Sequence, residues 1–504
     1  MNTTRRQFLG QMAMAGVLGL RAGRAAAQAP DLPELLNLLR TPELGDVTTS
    51  FALRNVTLID GTGKPAQPGI TIVIAGNRIE SLQPTGGTQP TVGIRTVDAT
   101  GKFLIPGLWD MHAHLDGVNS TSLPLFLANG VTGIRTMGQR VVPLQAQFNL
   151  RNNVAAGRRL GPRVVVPVRL EGIEGAGIPT PSPEARFPAT ETVITSDEAR
   201  NAVRTAVDPY RADFIKVHNG LSRELFFAIL AEAKALKIPV AGHVSQLQAP
   251  IQTPRQTVQE SIASRGAPVV TLAEASNAGL VSIEHMDTLR VHLRELGAPT
   301  DVVIDGLEAS HIAWLTDLFA LFRRNRTWFC PTHTDTERTG KILPDDPRLK
   351  YFSSSQRAVW SQGIGAIPPD RTEIAARVHK AHLSFTKAMH QAGVGLLAGT
   401  DVSPTWGMPG FLLHEELRQF VAAGLSPMDA LRTATYNPAQ FLGLLDTIGT
   451  IERGKLSEMV LLDANPLDDI HNTTKINMVF TGGRMYSRQA LDKILGAVEV
   501  LVRM

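Results

Sequence analysis

The segment Asp110-Met111-His112-Ala113-His114 places two imidazoles two residues apart. On an extended strand, positions i and i+2 share a face, so His112 and His114 project together and supply half of a metal site. A His-x-His pair by itself is more often a pair of surface or core histidines. Lys216 ends the apolar run Phe214-Ile215-Lys216-Val217. Lysine is seldom buried without a partner. One reading is a lysine paired with an acid. The other is a buried amine that loses its proton and reacts with carbon dioxide, giving a carbamate whose oxygens can bridge two cations. His243 sits in Val240-Ala241-Gly242-His243-Val244, and His285 in Val281-Ser282-Ile283-Glu284-His285. Asp401 follows Leu396-Leu397-Ala398-Gly399-Thr400. Each is more often structural when taken singly. Together they put four histidines, a lysine and an aspartate at the C-terminal ends of apolar runs.

The elements that must position them follow a βα rhythm from Pro106 onward. Eight runs read as strands: Leu108–Leu115, Val131–Met137, Arg163–Leu170, Asp213–Val217, Pro239–Val244, Val281–His285, Thr327–Pro331 and Val394–Gly399. Amphipathic helices fit between several of them, such as Arg223–Leu236 and Ser426–Thr435. Eight such units predict an α/β (β/α)8 TIM barrel, whose active sites lie at the C-terminal strand ends. Before it, Phe51–Ile59, Ile70–Ile74, Thr96–Asp98 and Phe103–Ile105 read as short strands with Gly and Asn turns, after a helical lead-in near residues 30–45. Met459–Leu462 and Met478–Thr481 resume that pattern. A small β-sandwich built from both chain ends is therefore expected, over 30–105 and 446–504, bracketing a barrel over 106–445. Gly172–Thr195 and Thr332–Thr372 are long for plain connections and are expected to cover the barrel mouth. Tyr351, Phe352 and Trp360 in the second would wall a pocket or pack a lid.

As a set, these motifs resemble the amidohydrolase superfamily, in its binuclear branch with a carboxylated lysine. The resemblance rests on Pro106-Gly107-Leu108-Trp109-Asp110-Met111-His112-Ala113-His114, Asp213–Val217, Ala241–Val244, Ser282–His285 and Ala398–Asp401, with the tail motifs Gly449–Leu456 and Val460–Pro466. Imidazolonepropionase-like proteins and Xaa-Pro-type dipeptidases are nearest in style. The resemblance implies two divalent cations, with zinc expected from imidazole and carboxylate ligands. His112, His114 and Asp401 would hold one, His243 and His285 the other, and carboxylated Lys216 would bridge both. A metal-bridging hydroxide would attack an amide or peptide bond, with Asp401 as general base and then acid. Dipeptides, N-acyl amino acids and related amides are the expected substrates. His218 and His333 are candidate substrate contacts, although a strand-end cap and a lid histidine bonded to backbone are equally open. His414, at the start of a helix, is expected to face solvent. Asp110 is expected beside the ligands rather than among them. Two other readings stand: a mononuclear deaminase or cyclic-amide hydrolase, against which Lys216 argues, and a non-catalytic periplasmic binding protein, against which the complete ligand set argues.

Composition narrows the setting. Hydrophobic residues make up 43% and charged residues 19% of 504, enough apolar material for a sizeable core. Thr4-Arg5-Arg6-Gln7-Phe8-Leu9, an apolar stretch from Met12 to Leu20 and an Ala27-Gln28-Ala29 cleavage site resemble a twin-arginine signal over residues 1–29. Export to the periplasm or outside the cell, by the twin-arginine machinery, is expected. The signal carries four arginines and no acid, so 46 basic residues face 46 acidic ones in the remainder. No clustered basic face for nucleic acid is indicated, and no run after the signal is long enough to span a bilayer. A homo-oligomer is left open. The single cysteine, Cys330, lies in an apolar run and is expected to be a packed thiol.

Overall fold

The computed structural model describes residues 32–47, 50–86, 94–115, 121–138, 143–172, 190–244, 270–295, 305, 313–334, 346–358, 369–403 and 407–504. The signal-like segment 1–29, Trp360 and the centres of both long connections fall outside them.

Strands form where β-branched and apolar residues alternate or run continuously between turn residues. In the companion part, Ser50–Leu58 pairs with Gln67–Ala75, which pairs with Arg78–Pro84. Phe103–Pro106 joins Ser50–Leu58 to the C-terminal strand Met459–Leu462, which leads on to Ile476–Thr481 and Arg484–Ser487. Hydrogen bonds thus run through one nine-stranded sheet made from both chain ends. Phe51 and Phe480 lie on strands three steps apart along this sheet, about 14 Å if it were flat. Their ring centroids are 5.8 Å apart, so the sheet curls over a shared core that includes Leu53, Ile72, Leu104 and Leu461.

Residues 108–402 alternate parallel strands with helices in a TIM-barrel-like α/β arrangement. Leu108–Ala113, Val131–Thr136 and Arg163–Val165 form one parallel sheet. Thr190–Thr192, Pro167–Glu171, Phe214–Val217, Val240–Gly242, Leu280–Glu284 and Trp328–Cys330 form a second. The expected third strand is therefore split around Val166. Pro167 has no N–H to give a ladder, and the Val166 N–H donates instead to Asp213 Oδ2 at 2.7 Å. The expected eighth strand is not regular either. Within it Leu396 forms an isolated bridge to Phe329, and a second bridge, Ala113↔Val402, lies three residues beyond its end. Gly395 and Gly399 let it pass close to Trp328, Cys330 and His112, where a Cβ would collide.

The helices show why their sequences stop where they do. In Arg223–Leu236, Ser222 caps the start by accepting from Leu225 N, and Leu225, Phe226, Ile229, Leu230 and Ala233 face the core. It ends at Lys237 in the left-handed region, two residues before Pro239. Inside the strands, alternate residues separate two levels. Phe214 lies below Lys216 and Ala241 below His243. With Trp109, Met111, Cys330 and Leu397, they form an apolar layer of their own. No helix among the described residues is long and apolar enough to cross a membrane.

Candidate metal centre

The six residues singled out lie at or just past the C-terminal ends of the first, fourth, fifth, sixth and eighth runs of the barrel-like part. His112 is the fifth residue of Leu108–Ala113 and His114 follows that strand; Lys216 lies within Phe214–Val217; His243 and His285 each directly follow a strand. Backbone geometry aims two of them: His285 and Asp401 adopt φ of 67° and 51°, as does Thr332 at 51°. Left-handed conformations are strained for residues with a Cβ and persist where the surroundings impose them.

The imidazoles converge. Ring centroids lie 4.6 Å apart for His112 and His285, 4.7 Å for His243 and His285, and 5.6 Å for His112 and His114. Asp401 Oδ1 is 3.2 Å from His112 Nε2 and 3.1 Å from His114 Nε2. Ligand atoms of His112, His285 and Asp401 lie close enough together to share one ion.

All four histidines are held through Nδ1. His112 Nδ1 donates to Glu284 Oε2 at 2.8 Å, and His114 Nδ1 to the Gly138 carbonyl at 2.9 Å. His243 Nδ1 is 2.9 Å from Asn219 Oδ1, and His285 Nδ1 is 2.8 Å from Thr332 Oγ1. For His112, His114 and His243 the Nδ1 partner is an acceptor, which fixes the tautomer and leaves Nε2 as the lone pair, the arrangement common to metal-binding histidines.

Lys216 is 1% exposed, and its Nζ has no hydrogen-bond partner. Burial lowers its pKa to about 8, against the opposing pull of Glu284. Burial likewise depresses His285 to about 3 and holds His114 and His243 below the usual imidazole range, so these rings stay neutral at pH 7. Burial pushes the Asp401 carboxyl up, but its contacts with His112 and His114 outweigh it and hold the carboxyl well below its ordinary value, so the carboxylate is ionised.

Sequence reasoning missed the supports. Glu284 is fully buried. It accepts from Arg135 Nη2 at 2.8 Å while holding His112, and Arg135 also donates to Ser282 Oγ and the Met111 carbonyl. Burial works against the Glu284 anion, yet Arg135 and His112 hold it ionised. The signal was present: Arg135 and Glu284 are charges in apolar strands, the same anomaly that singled out Lys216. Cys330 Sγ lies near His112 and Glu284. Burial raises its pKa well above the usual thiol value, so it is a packed thiol as expected. Asp110 accepts from Thr400 Oγ1 at 2.7 Å and from His112 N at 3.1 Å, beside the candidate ligands His112 and Asp401.

The remaining candidates divide. His218 stays at the site: its ring centroid is 4.3 Å from that of His243, and its Nδ1 is 2.9 Å from Glu171 Oε1, with Arg169 against both. His333 does not share its ring contacts. Fully buried, it packs on Phe420 and His379, with Nε2 bonded to Thr386 Oγ1 at 2.9 Å. His414 corrects an expectation. It is 2% exposed, not solvent-facing, because the segment Ile470–Thr474 covers its helix; Nδ1 meets Thr473 Oγ1 and Nε2 the Asn129 carbonyl. Tyr351 stacks on Phe411, and Phe352 is buried in the main core, so these two pack the connection down.

A family model for the amidohydrolase family matches residues 103–486. The chain belongs to the amidohydrolase family. Among curated proteins, it is 23% identical over 471 residues to an adenine deaminase of Rubrobacter xylanophilus, covering 90% of this chain but 61% of that protein's length. Among solved structures, a Xaa-Pro dipeptidase with bound methionine in the active site superposes with a TM-score of 0.61 at 20% identity, over 87% of this chain and all of that one. A bottromycin amidohydrolase reaches a TM-score of 0.69 at 21% identity, over 94% and 95%. These likenesses show the TIM-barrel-like fold.

Proposed function

We propose that this amidohydrolase cleaves an amide or peptide bond in a small molecule, with His112, His114, Lys216, His243, His285 and Asp401 holding two divalent cations. One observation carries the reading: four imidazoles tied down at Nδ1 converge at the strand ends, and a buried lysine nitrogen close enough to act electrostatically on two of them, His243 and His285, has no hydrogen-bond partner. An unpartnered buried amine is costly unless a further group completes it. A donor set of neutral imidazoles and an ionised carboxylate suits zinc. When bound, two such cations lower the pKa of water and polarise a carbonyl.

The chain's own residues do the rest. Lys216, with a pKa near 8, is partly neutral at pH 7 and can attack carbon dioxide. A nitrogen–carbon bond forms as one C=O π bond of carbon dioxide gives way, one proton leaves, and the resulting carbamate would offer two oxygens sharing one negative charge. Glu284 and Arg135 keep His112 from turning. Asp401, ionised at the centre, takes the proton of the attacking water and passes it to the departing amine. The Xaa-Pro dipeptidase and bottromycin amidohydrolase favour peptide-like substrates, with dipeptides and N-acyl amino acids first. Their acyl or side-chain groups would meet His218 at the rim. The same reading takes the parallel strands as a closed barrel over 106–445 and the curled sheet as a sandwich over 30–105 and 446–504. It takes residues 1–29 as an export signal, with the enzyme working outside the cytoplasm.

The test is a screen of dipeptides and N-acyl amino acids with zinc-loaded protein. Activity should vanish on chelation and in Lys216→Ala. Turnover unchanged after thorough chelation would refute the reading. The similarity to adenine deaminase favours a second reading, hydrolytic deamination of a purine. Ammonia release from adenine, without peptide cleavage, would select it.

A further inference from the structure

Opposite the cluster, at the N-terminal ends of the strands, lies a cavity of about 940 Å³. Residues at strand starts line it (Phe214, Val281 and Trp328 among them), together with the last turns of the helices Leu144–Ala155 and Ala313–Asn325. Its volume lies within the range of sites for small molecules. We propose that this cavity binds a small organic anion with an aromatic body.

The walls fit the aromatic part. Trp328 and Phe441 meet edge to face with centroids 6.0 Å apart, and Phe214 lies farther in. Arg135 closes the inner end, its guanidinium 5.1 Å from the Phe441 centroid and 5.7 Å from that of Phe214. Its hydrogen bonds go to Met111, Ser282 and Glu284 and it is 1% exposed, so it backs the aromatic wall with positive charge rather than offering a vacant fork. A flat ring in the recess can rest against the half-buried faces of Trp328 and Phe441.

The mouth fits the anionic part. Arg163, Arg323 and Arg326 line it, are exposed, and form no ion pair with any carboxylate among the described residues. Arg323 gives one N–H to the Ala392 carbonyl and keeps its other donors. The acid in the lining, Asp213, is already engaged by Arg151 Nη1 at 3.0 Å and Val166 N at 2.7 Å. Half-buried Glu458 feels the charge of Arg163 without pairing with it. Three guanidinium groups around an apolar recess can grip a carboxylate, sulfonate or phosphate in forked geometry. The ligand would enter ring first and leave its charge at the rim.

The probe is 8-anilinonaphthalene-1-sulfonate, titrated into the metal-loaded full chain and read by fluorescence. One saturable site is expected, with energy transfer from tryptophan that Trp328→Phe diminishes. The double variant Arg163→Glu/Arg326→Glu should weaken binding at least about tenfold, the size of one lost charge-assisted contact. The uncharged analogue N-phenyl-1-naphthylamine should bind about tenfold more weakly to the parent chain. Both variants alter cavity-lining side chains away from the metal cluster, so thermal unfolding should stay cooperative. Equal affinity in the double variant, or equal affinity for the uncharged analogue, would overturn the proposal. So would displacement of the probe by a phosphonate dipeptide mimic that inhibits hydrolysis.

Discussion

At the C-terminal strand ends, four imidazoles crowd around Asp401, with left-handed backbone at His285 and Asp401. At the N-terminal ends of the same strands, Trp328, Phe214 and Phe441 surround an arginine-rimmed recess. Two residues of strand separate these environments: Phe214 from Lys216, Ala241 from His243. Strand alternation sends both members of each pair inward, and position along the strand decides whether the side chain packs or reacts. The ion pair Arg135–Glu284 belongs to both ends. Its glutamate holds His112, and its guanidinium stacks on the floor's aromatic rings.

The sharpest break of this comparison is chemical. Asp401→Asn should lower kcat/KM by roughly 10²–10⁴, the range for loss of a general base, whereas Arg163→Glu should leave it within about twofold. Initial rates on an accepted amide substrate measure both. An equal loss from both variants would erase the distinction between rim and floor.

Next is the shared pair. Glu284→Gln should weaken metal binding about 10–100-fold, as for other supports of metal-bound histidines, measured by competition with a chromogenic chelator. It should also cost about 3–5 kcal/mol in denaturant unfolding, because Arg135 is left as a buried, uncompensated charge. Gly399→Ala comes third. Its Cβ would lie 2.5 Å from Cys330 Sγ and 2.7 Å from His112 Cβ, and overpacking of this kind costs about 1–3 kcal/mol. Thermal unfolding of the metal-free protein reads it without interference from bound ions.

The effect that is smallest per unit of the variable scanned concerns Glu416, which supports the rim from outside by accepting from His333 N and Thr334 N. Burial raises its pKa to about 8 against those hydrogen bonds. The folded state therefore binds a proton that the unfolded state releases near 4.5. The contribution to stability is complete below about pH 4.5 and fades as pH rises through about 8, at no more than about 1.4 kcal/mol per pH unit. Glu416→Gln should flatten this part of the pH–stability curve. An unchanged slope between pH 6 and 8 would show that Glu416 is already ionised.

Much of the rim was legible before any coordinates, because a polar residue ending an apolar strand is conspicuous. His112, His114, Lys216, His243, His285 and Asp401 all announced themselves this way. Arg135 and Glu284 carried the same signal but lay inside their runs, where a charge reads as an interruption until its partner is known. Asn219 read as an ordinary turn residue, yet its side chain orients His243. His414 read as exposed because helix periodicity describes one helix and cannot foresee that Ile470–Thr474 will cover its outer face.

Local chemistry in the chain determined which segments become strands, where helices are capped and which side chains could serve as ligands. These depend on neighbours within a few residues. Only the tertiary structure decided that Glu284 would reach His112 across 172 residues, that Thr400 would bond Asp110 across 290, and that arginines would gather around one recess at the floor. Such contacts depend on how whole elements pack. In water each of these charges is satisfied alone, and it needs a particular partner only once folding has removed the solvent.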